Sequence, residues 1–378
     1  MTNKIKKSLL AALLLTSAHC TVFAQATPAN DSVRWDDAAS QWVYTLHNPS
    51  GNGQAVYLRY TPRTVIDPKV KSTLHWRNGK FEYNYRIRNG NSAKQEIADM
   101  DVRTPSWDVP TFPRTIKTDP NETWEESIKR SDVRLDKIKQ LQNQTLDQSS
   151  KWSPHLGTRR PERVYFGWMA KFNENYDGIK PGHTVDGFKV TRPELPGAAL
   201  MMMKGYTKDF MNEPSLPTEG AMAEHAAEVL ANNSVDVPVI IPAIILPSPY
   251  NGAELTRRVK AHVATWINQG LITPAKLAVL NPKLDQLTAA LEQQNKPAIH
   301  AAAVEVLQET FMSHKGFHHT KIDSDDDQED PQAINLEQVN SVVTMKVQPI
   351  ESLPLHRVAA RALAFDVMYM LTRAYTGK

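Results

Sequence analysis

Apolar and polar residues alternate over much of residues 41–103, which predicts β-strands that bury one face and expose the other. The alternation is clearest on either side of Asn78-Gly79, between Val70 and Ile87. An Asn-Gly pair tolerates positive φ at both central positions of a type I′ turn, so we predict a β-hairpin there. Hairpins with one apolar face indicate an antiparallel sheet that packs on one side.

A helical pattern interrupts these strands. Asp119 is a suitable N-cap and Pro120 fits the first helical position. The apolar residues that follow at helical spacing are Trp124, Ile128, Leu135, Ile138 and Leu141. We predict an inserted helix at about residues 119–148, after which strand-like alternation returns at residues 163–172. Residues 27–206 are therefore predicted to form one antiparallel β-sandwich with a helical insertion.

The pattern changes twice in the second half of the chain. Prolines punctuate residues 207–250, but the segment Val235–Leu246 is too apolar for a free linker. We therefore predict a Pro-rich connector that is docked and extended across a core. From residue 251 to 378 the period is helical, with leucines spaced 3-4-3-4 from Leu277 to Leu291. This spacing predicts a C-terminal α-helical bundle of at least four helices.

These elements predict an α+β multidomain protein with an N-terminal β-sandwich and a C-terminal helical domain. We expect the two parts to have separate cores, so that a chain ending near Pro249 keeps its β-structure.

The first 26 residues have the features of a bacterial secretory signal peptide. Three lysines precede an apolar stretch from Leu9 to Leu15, and Ala24-Gln25-Ala26 matches an A-x-A cleavage motif. Cleavage after Ala26 predicts an exported protein, periplasmic or extracellular. The single cysteine, Cys20, lies inside this segment, and the bulky residue before it makes a poor lipidation site. The mature chain is then free of cysteine and has neither disulfides nor thiolates.

Removing the signal also changes the charge of the protein. The full chain has 44 Lys and Arg against 41 Asp and Glu, and the signal contains three lysines and no acidic residue. The mature chain is therefore neutral, with 41 residues of each sign. A neutral chain has no overall charge that attracts nucleic acid or an anionic membrane. After the signal, no stretch is apolar for the ~20 residues of a membrane span, so we predict a protein that does not span a membrane.

A histidine- and aspartate-rich segment is the sharpest candidate for metal binding. His314 and His318 are spaced as two ligands on one helix face, while Asp323, Asp325 and Asp327 have the spacing that begins a calcium loop. Both segments depart from the metal-binding pattern that they resemble. A glycine interrupts the histidines, and the calcium loop lacks its turn glycine and its final glutamate. A solvated loop without metal is the preferred interpretation, and no cofactor is predicted.

Tryptophans provide a candidate ligand-binding surface. Trp107, Trp124 and Trp152 offer flat rings on which a carbohydrate can stack. Tryptophans on alternating strand positions serve equally well as core residues, so both interpretations stay open.

Catalytic signatures are absent from the sequence. There is no H-E-x-x-H, G-x-S-x-G, Walker or G-x-G-x-x-G motif. The neighbouring pairs Glu224-His225 and Asp36-Asp37 have acid/base chemistry, but a chain with 41 acidic residues produces such pairs by chance.

Two groups of segments resemble a known kind of protein. FEYNYRIRNGNSAKQEI, followed later by GIKPGHTVDGFKV and ELPG, resembles the split β-sandwich of secreted bacterial proteins of unknown function. The stretch from RVKAHVATWINQGLI to AAAVEVLQETF is similar to helical modules found after such sandwiches. Together they cover about half the chain. The resemblance implies architecture and export, and it supplies no catalytic residue.

The sequence leaves two functions open. The preferred one is an exported, non-enzymatic binding or structural protein whose partner is an extracytoplasmic protein or glycan. The alternative is an extracytoplasmic hydrolase or lyase that acts on a glycan or peptidoglycan polymer, with an acid/base pair at the domain interface.

Overall fold

The computed structural model describes residues 32–47, 55–104, 121–147, 151–160, 163–171, 178–207, 221–312 and 354–376. These residues form three antiparallel sheets and six α-helices. Strands dominate the N-terminal part and helices the C-terminal part. The predicted α+β class is therefore confirmed.

The chain contributes its strands and helices in the following order. The strands are β1 (Ser32–Asp36), β2 (Gln41–His47), β3 (Ala55–Tyr60), β4 (Pro68–Arg77), β5 (Lys80–Asn89), β6 (Ile97–Thr104), β7 (Trp152–Arg160), β8 (Arg163–Ala170), β9 (Thr184–Arg192), β10 (Leu195–Gly205) and β11 (Val235–Ile244). The helices are α1 (Trp124–Thr145), α2 (Ala221–Ala231), α3 (Gly252–Thr265), α4 (Pro274–Glu292), α5 (Lys296–Met312) and α6 (Arg357–Thr376). A 3-10 turn, Ile267–Gln269, follows α3.

The chain divides into two compact units. The smaller unit draws on Met1–Pro62 and Lys208–Asn232, and the larger on Arg63–Thr207 and Asn233–Lys378. These two units are not the domains predicted from the sequence, whose boundaries fall after residues 206 and 250. The predicted domain boundaries stay a prediction.

The smaller unit contains the sheet β1-β2-β3 and helix α2. Its core is an aromatic cluster in which Tyr44 and Tyr60 pack with Ala226 of α2. Trp42 meets the ring of His225 edge-on at 4.5 Å. Aromatic residues on one face of β2 thus contribute to the core of this small unit.

The larger unit contains a five-stranded sheet, β11-β10-β6-β8-β7, and a three-stranded sheet, β4-β5-β9. The predicted hairpin joins β4 to β5. Asn78 and Gly79 have φ values of 49° and 77°, as a type I′ turn requires. The alternating residues of β5 that follow are all buried: Phe81, Tyr83, Tyr85 and Ile87.

Aromatic side chains link the two sheets of the larger unit. Phe188 of β9 lies 5.1 Å from the ring of Trp152 in β7 and 5.4 Å from that of Trp168 in β8. Tyr85 of β5 meets Trp168 at 5.9 Å, and its hydroxyl donates to the carbonyl of Ile240 at 2.8 Å. The two sheets therefore face each other with their apolar sides, and rings from both sheets pack together in one core.

Helix α1 lies between β6 and β7 in the chain and begins at Trp124, because Thr123 is its N-cap. The Thr123 hydroxyl accepts from the Glu126 amide at 3.2 Å, and the Glu126 carboxylate accepts from the Thr123 amide at 2.8 Å. The predicted cap, Asp119, lies outside the described residues. Ile138 is buried, but Ile128 is exposed, so the predicted apolar stripe packs only along part of the helix.

The proline-containing segment Val235–Ile244 is an edge strand. It pairs along its length with β10 and is the outermost strand of the five-stranded sheet. Pro238 and Pro242 are compatible with this position because an edge strand leaves one row of amides unpaired. The segment crosses the core in extended form as expected, since Val239 to Ile241 are buried.

The C-terminal helices complete the core of the larger unit. The leucine stripe of α4 is buried from Leu277 to Leu287, as predicted. Phe365 of α6 meets Phe81 of β5 at 5.8 Å, and the Trp266 indole donates to the Ala198 carbonyl of β10 at 3.0 Å. Helices and sheets share one continuous hydrophobic core, so the expectation of separate cores was wrong.

Candidate binding site

Charged side chains line one face of the five-stranded sheet. Along β6, Asp99, Asp101 and Arg103 alternate with apolar residues that are buried in the core. Successive side chains of a strand point to opposite faces, so these three side chains share one face. Residues paired with them on the neighbouring strands lie on the same face. We call this surface the polar sheet face; it comprises Asp99, Asp101, Arg103, His155, Tyr165, Gly167, Met202, Lys204 and Asp236.

His155 of β7 reaches Asp101 of β6 because Gly167 stands on the strand between them. Gly167 pairs with Asp101 on one side and with His155 on the other. His155 Nε2 lies 2.6 Å from Asp101 Oδ1. A Cβ atom at position 167 would lie 2.9 Å from that nitrogen and 1.9 Å from the carbonyl oxygen of Met100. The glycine therefore makes room for a side-chain contact between two strands that are not neighbours.

Lys204 of β10 contacts the same carboxylates from the opposite side. Its Nζ lies 3.0 Å from Asp99 Oδ2 and 3.8 Å from Asp101 Oδ2. The Asp101 side chain is only 6% exposed. One ammonium therefore contacts two carboxylates, and the more buried of these carboxylates also meets the His155 imidazole.

Two buried atoms of this cluster have no hydrogen-bond partner within the described part of the chain. They are Asp99 Oδ1 and His155 Nδ1. Buried polar atoms in folded proteins are nearly always satisfied by protein, water or an ion. Asp99, Asp101 and His155 also each place a ligand atom within 4.8 Å of the other two. These are the side chains that can hold a metal ion in this region.

A cavity of about 660 Å³ opens between the polar sheet face and the end of α3. Arg103 and Asp236 line it from the sheet, and Asn268 and Gln269 line it from the turn after α3. Met202, which belongs to the polar sheet face, also lines the cavity and lies 3.6 Å from Arg103 Nη2 through its sulfur. The volume lies within the range of about 300–1,000 Å³ that small-molecule sites occupy.

The charges around the cavity are not equivalent. Partial burial raises the pKa of Asp236, and the positive charge of Arg103 acts in the opposite direction. Burial lowers the pKa of His262 to about 4, so this lining imidazole is neutral at pH 7. Its Nε2 lies 3.3 Å from the Trp266 indole nitrogen. Among the lining residues that the structure describes, Arg103 therefore supplies the positive charge.

The two described candidate residues from the sequence, Trp124 and Trp152, are not part of the polar sheet face. Trp152 is 1% exposed and packs inside the core, whereas Trp124 is exposed at the start of α1. The structure does not bring these two rings together, and Trp107 lies outside the described residues. The histidine and aspartate segment, with His314, His318, Asp323, Asp325 and Asp327, also lies outside them. A solvated loop without metal stays the prediction for that segment, with metal binding as its alternative, and carbohydrate stacking on tryptophans likewise stays an untested alternative.

The acidic pairs noted in the sequence have other partners in the structure. His225 Nδ1 lies 3.1 Å from the Tyr44 hydroxyl, within the core of the smaller unit. Asp36 lies 3.8 Å from Arg59 and accepts from the Ala39 amide at 3.1 Å. The first contact joins β2 to α2, and the contacts of Asp36 reach β3 and the turn after β1.

Sequence reasoning missed the whole polar sheet face. A signal was present in β6, where Asp99, Asp101 and Arg103 occupy the alternate positions between apolar residues. The partners His155 and Lys204 come from strands 54 and 105 residues away, so their proximity depends on the order of strands in the sheet.

Comparison with known protein families, curated proteins and solved structures finds no match for this chain. The resemblance to secreted split β-sandwich proteins therefore stays a prediction. Across the described residues, no helix combines the length and the apolar character that crossing a membrane requires.

Proposed function

We propose that this chain is an exported, non-enzymatic binding protein that holds its ligand at the polar sheet face. Export is supported by the N-terminal signal pattern: three lysines, an apolar stretch and an A-x-A cleavage motif. If the chain is exported, the secreted form begins at Thr27, and mass spectrometry of the periplasmic or culture fraction measures this directly. An intact N-terminus on cytoplasmic protein contradicts export.

The observation that carries the binding proposal is the cavity beside Arg103. A guanidinium binds a carboxylate through two parallel hydrogen bonds, which makes Arg103 a suitable anchor for an organic acid. Asp236, Asn268 and Gln269 supply acceptors and donors of the kind that bind hydroxyl groups. A small carboxylate with several hydroxyls fits this lining. The proposed ligand class is therefore an acidic sugar, free or as a unit of a glycan.

We also propose a finer architecture. The shared rings of Phe188, Trp152 and Trp168 support a β-sandwich formed by the two sheets of the larger unit. The buried leucine stripe of α4 supports a helical bundle formed by α3–α6.

Calorimetric titration of residues 27–378 with glucuronate tests the ligand proposal, with glucose as the matched uncharged sugar. We expect glucuronate to bind more tightly than glucose, and Arg103→Gln to remove most of the difference. Arg88→Gln is the matched control because Arg88 is an exposed strand arginine away from the cavity. Equal binding of both sugars, or full binding by Arg103→Gln, contradicts the proposal.

One observation favours the alternative of a polymer-degrading enzyme. Asp101 and His155 form a hydrogen-bonded pair of the type that acts in general acid/base catalysis, although they lie on one sheet. Hydrolysis or elimination of peptidoglycan or an acidic glycan by the wild type, abolished by His155→Gln, would establish this function. Binding without turnover by both proteins would exclude it.

A further inference from the structure

We infer that Asp99, Asp101 and His155 form a binding site for one divalent transition-metal ion. The site does not depend on the sugar-binding proposal, because none of its three ligands lines the cavity. Two aspartates of one strand and a histidine two strands away converge through the gap at Gly167.

The geometry is close to that of a metal site. The three candidate ligand atoms lie within 4.8 Å of one another. Atoms that bind one Zn²⁺ tetrahedrally at about 2.0–2.2 Å lie about 3.3–3.6 Å apart. Side-chain movements of less than about 1 Å therefore close the cluster on an ion.

The unpartnered carboxylate oxygen is an independent indication. Asp99 Oδ1 is buried without a hydrogen bond from the described residues, although Asp99 Oδ2 contacts Lys204. A cation at this point satisfies the free oxygen.

The ligand set selects the class of ion. Carboxylates alone suit Mg²⁺ and Ca²⁺, whereas an imidazole favours Zn²⁺ and related transition ions. Metal binding through His155 Nε2 replaces the hydrogen bond to Asp101, and the proton of a neutral ring then resides on Nδ1. Three protein ligands leave a fourth position for water or another ligand.

Lys204 competes with the metal ion. In the metal-free protein its ammonium contacts both carboxylates and already neutralises part of their negative charge. An ion that binds Asp99 and Asp101 must displace this ammonium or weaken its contacts. Lys204→Met is therefore expected to tighten metal binding and to lower the stability of the metal-free protein, because it removes the ammonium that contacts both carboxylates.

Calorimetric titration of residues 27–378 with ZnCl₂ tests the site. We expect one equivalent to bind, and at least tenfold weaker binding in both Asp99→Asn and His155→Gln. Lys204→Met is expected to bind at least tenfold more tightly. Asp186→Asn and His183→Gln are matched controls, because both residues lie on exposed positions of the other sheet or its preceding turn. A further variant, His314→Gln with His318→Gln, separates this site from the segment outside the described residues.

The outcomes are distinct. Loss of zinc binding in the Asp99 and His155 variants, with tighter binding in Lys204→Met, supports the site. Absence of zinc binding, or binding lost only in the His314/His318 variant, overturns it. If His155→Gln fails to fold by circular dichroism, Asp99→Asn and Lys204→Met still decide, since both side chains are partly exposed. Failure of the sugar proposal shows instead as an unchanged glucuronate affinity in Arg103→Gln.

Discussion

Gly167→Ala is the substitution that most sharply tests how the polar sheet face is assembled. The added Cβ atom would lie 1.9 Å from the Met100 carbonyl oxygen and 2.9 Å from His155 Nε2. A carbon and an oxygen in ordinary contact lie more than 3 Å apart, so β6 and β8 must separate here, and the histidine must also move away from Asp101. Overpacking costs about 1–3 kcal/mol and loss of the charge-assisted hydrogen bond about 1.5–3 kcal/mol. Together these predict a loss of roughly 2.5–6 kcal/mol.

Urea unfolding followed by circular dichroism measures this loss as a change in the free energy of unfolding. Gly157→Ala is the matched control on the same face. Its Cβ atom would meet the Tyr165 hydroxyl at 2.6 Å, and the end of a half-exposed side chain moves more easily than a backbone carbonyl. We expect a clearly smaller loss for this variant.

A double-mutant cycle separates the two contacts at Gly167. In a His155→Ala background, alanine at position 167 still meets the Met100 carbonyl but no longer meets the imidazole. Its cost is therefore expected to fall and to stay above zero. Two results would refute the account that the His155 side chain crosses β8 at Gly167. One is a Gly167→Ala variant as stable as the wild type. The other is a loss of stability on Gly167→Ala that is the same in the wild-type and His155→Ala backgrounds.

Three further predictions concern the core of the larger unit. Burial raises the pKa of Asp366, so the folded chain retains a proton that the unfolded chain loses above its pKa of about 3.9. Stability then falls as the pH rises above about 4, by up to about 1.4 kcal/mol per unit, and the advantage of Asp366→Asn in urea unfolding should grow with it; a constant difference contradicts this. Trp266→Phe leaves the Ala198 carbonyl without its donor at 3.0 Å and should lower the free energy of unfolding by about 1–3 kcal/mol, whereas unchanged stability would argue against this helix contact. A chain ending at Pro249 should lose cooperative thermal unfolding because the helices complete the core, and a retained sharp transition contradicts the shared core.

The parts of the fold that the sequence predicted are local. The type I′ hairpin depends on Asn78-Gly79 and on the strand residues beside it, so a short window contains the whole signal. The buried leucine stripe of α4 is likewise encoded within one helix. The helix α1 begins at Trp124, after the predicted start, because Thr123 and Glu126 form a capping box there.

The parts that sequence reasoning missed depend on sheet order. The apolar positions of β6 were recognised, but nothing local indicates that the strand carrying His155 lies two places away or that Lys204 lies next to Asp99. The shared core was missed for the same reason. Helical periodicity shows that α3 and α6 have an apolar face but does not show that β10 covers it.

The central claim is that the polar sheet face binds ligands, and diffraction from crystals of residues 27–378 soaked with ZnCl₂ and glucuronate tests it most directly. We predict an anomalous zinc peak among Asp99, Asp101 and His155, and sugar density with its carboxylate against Arg103. Zinc and sugar bound elsewhere, with no density on the polar sheet face, would contradict the account.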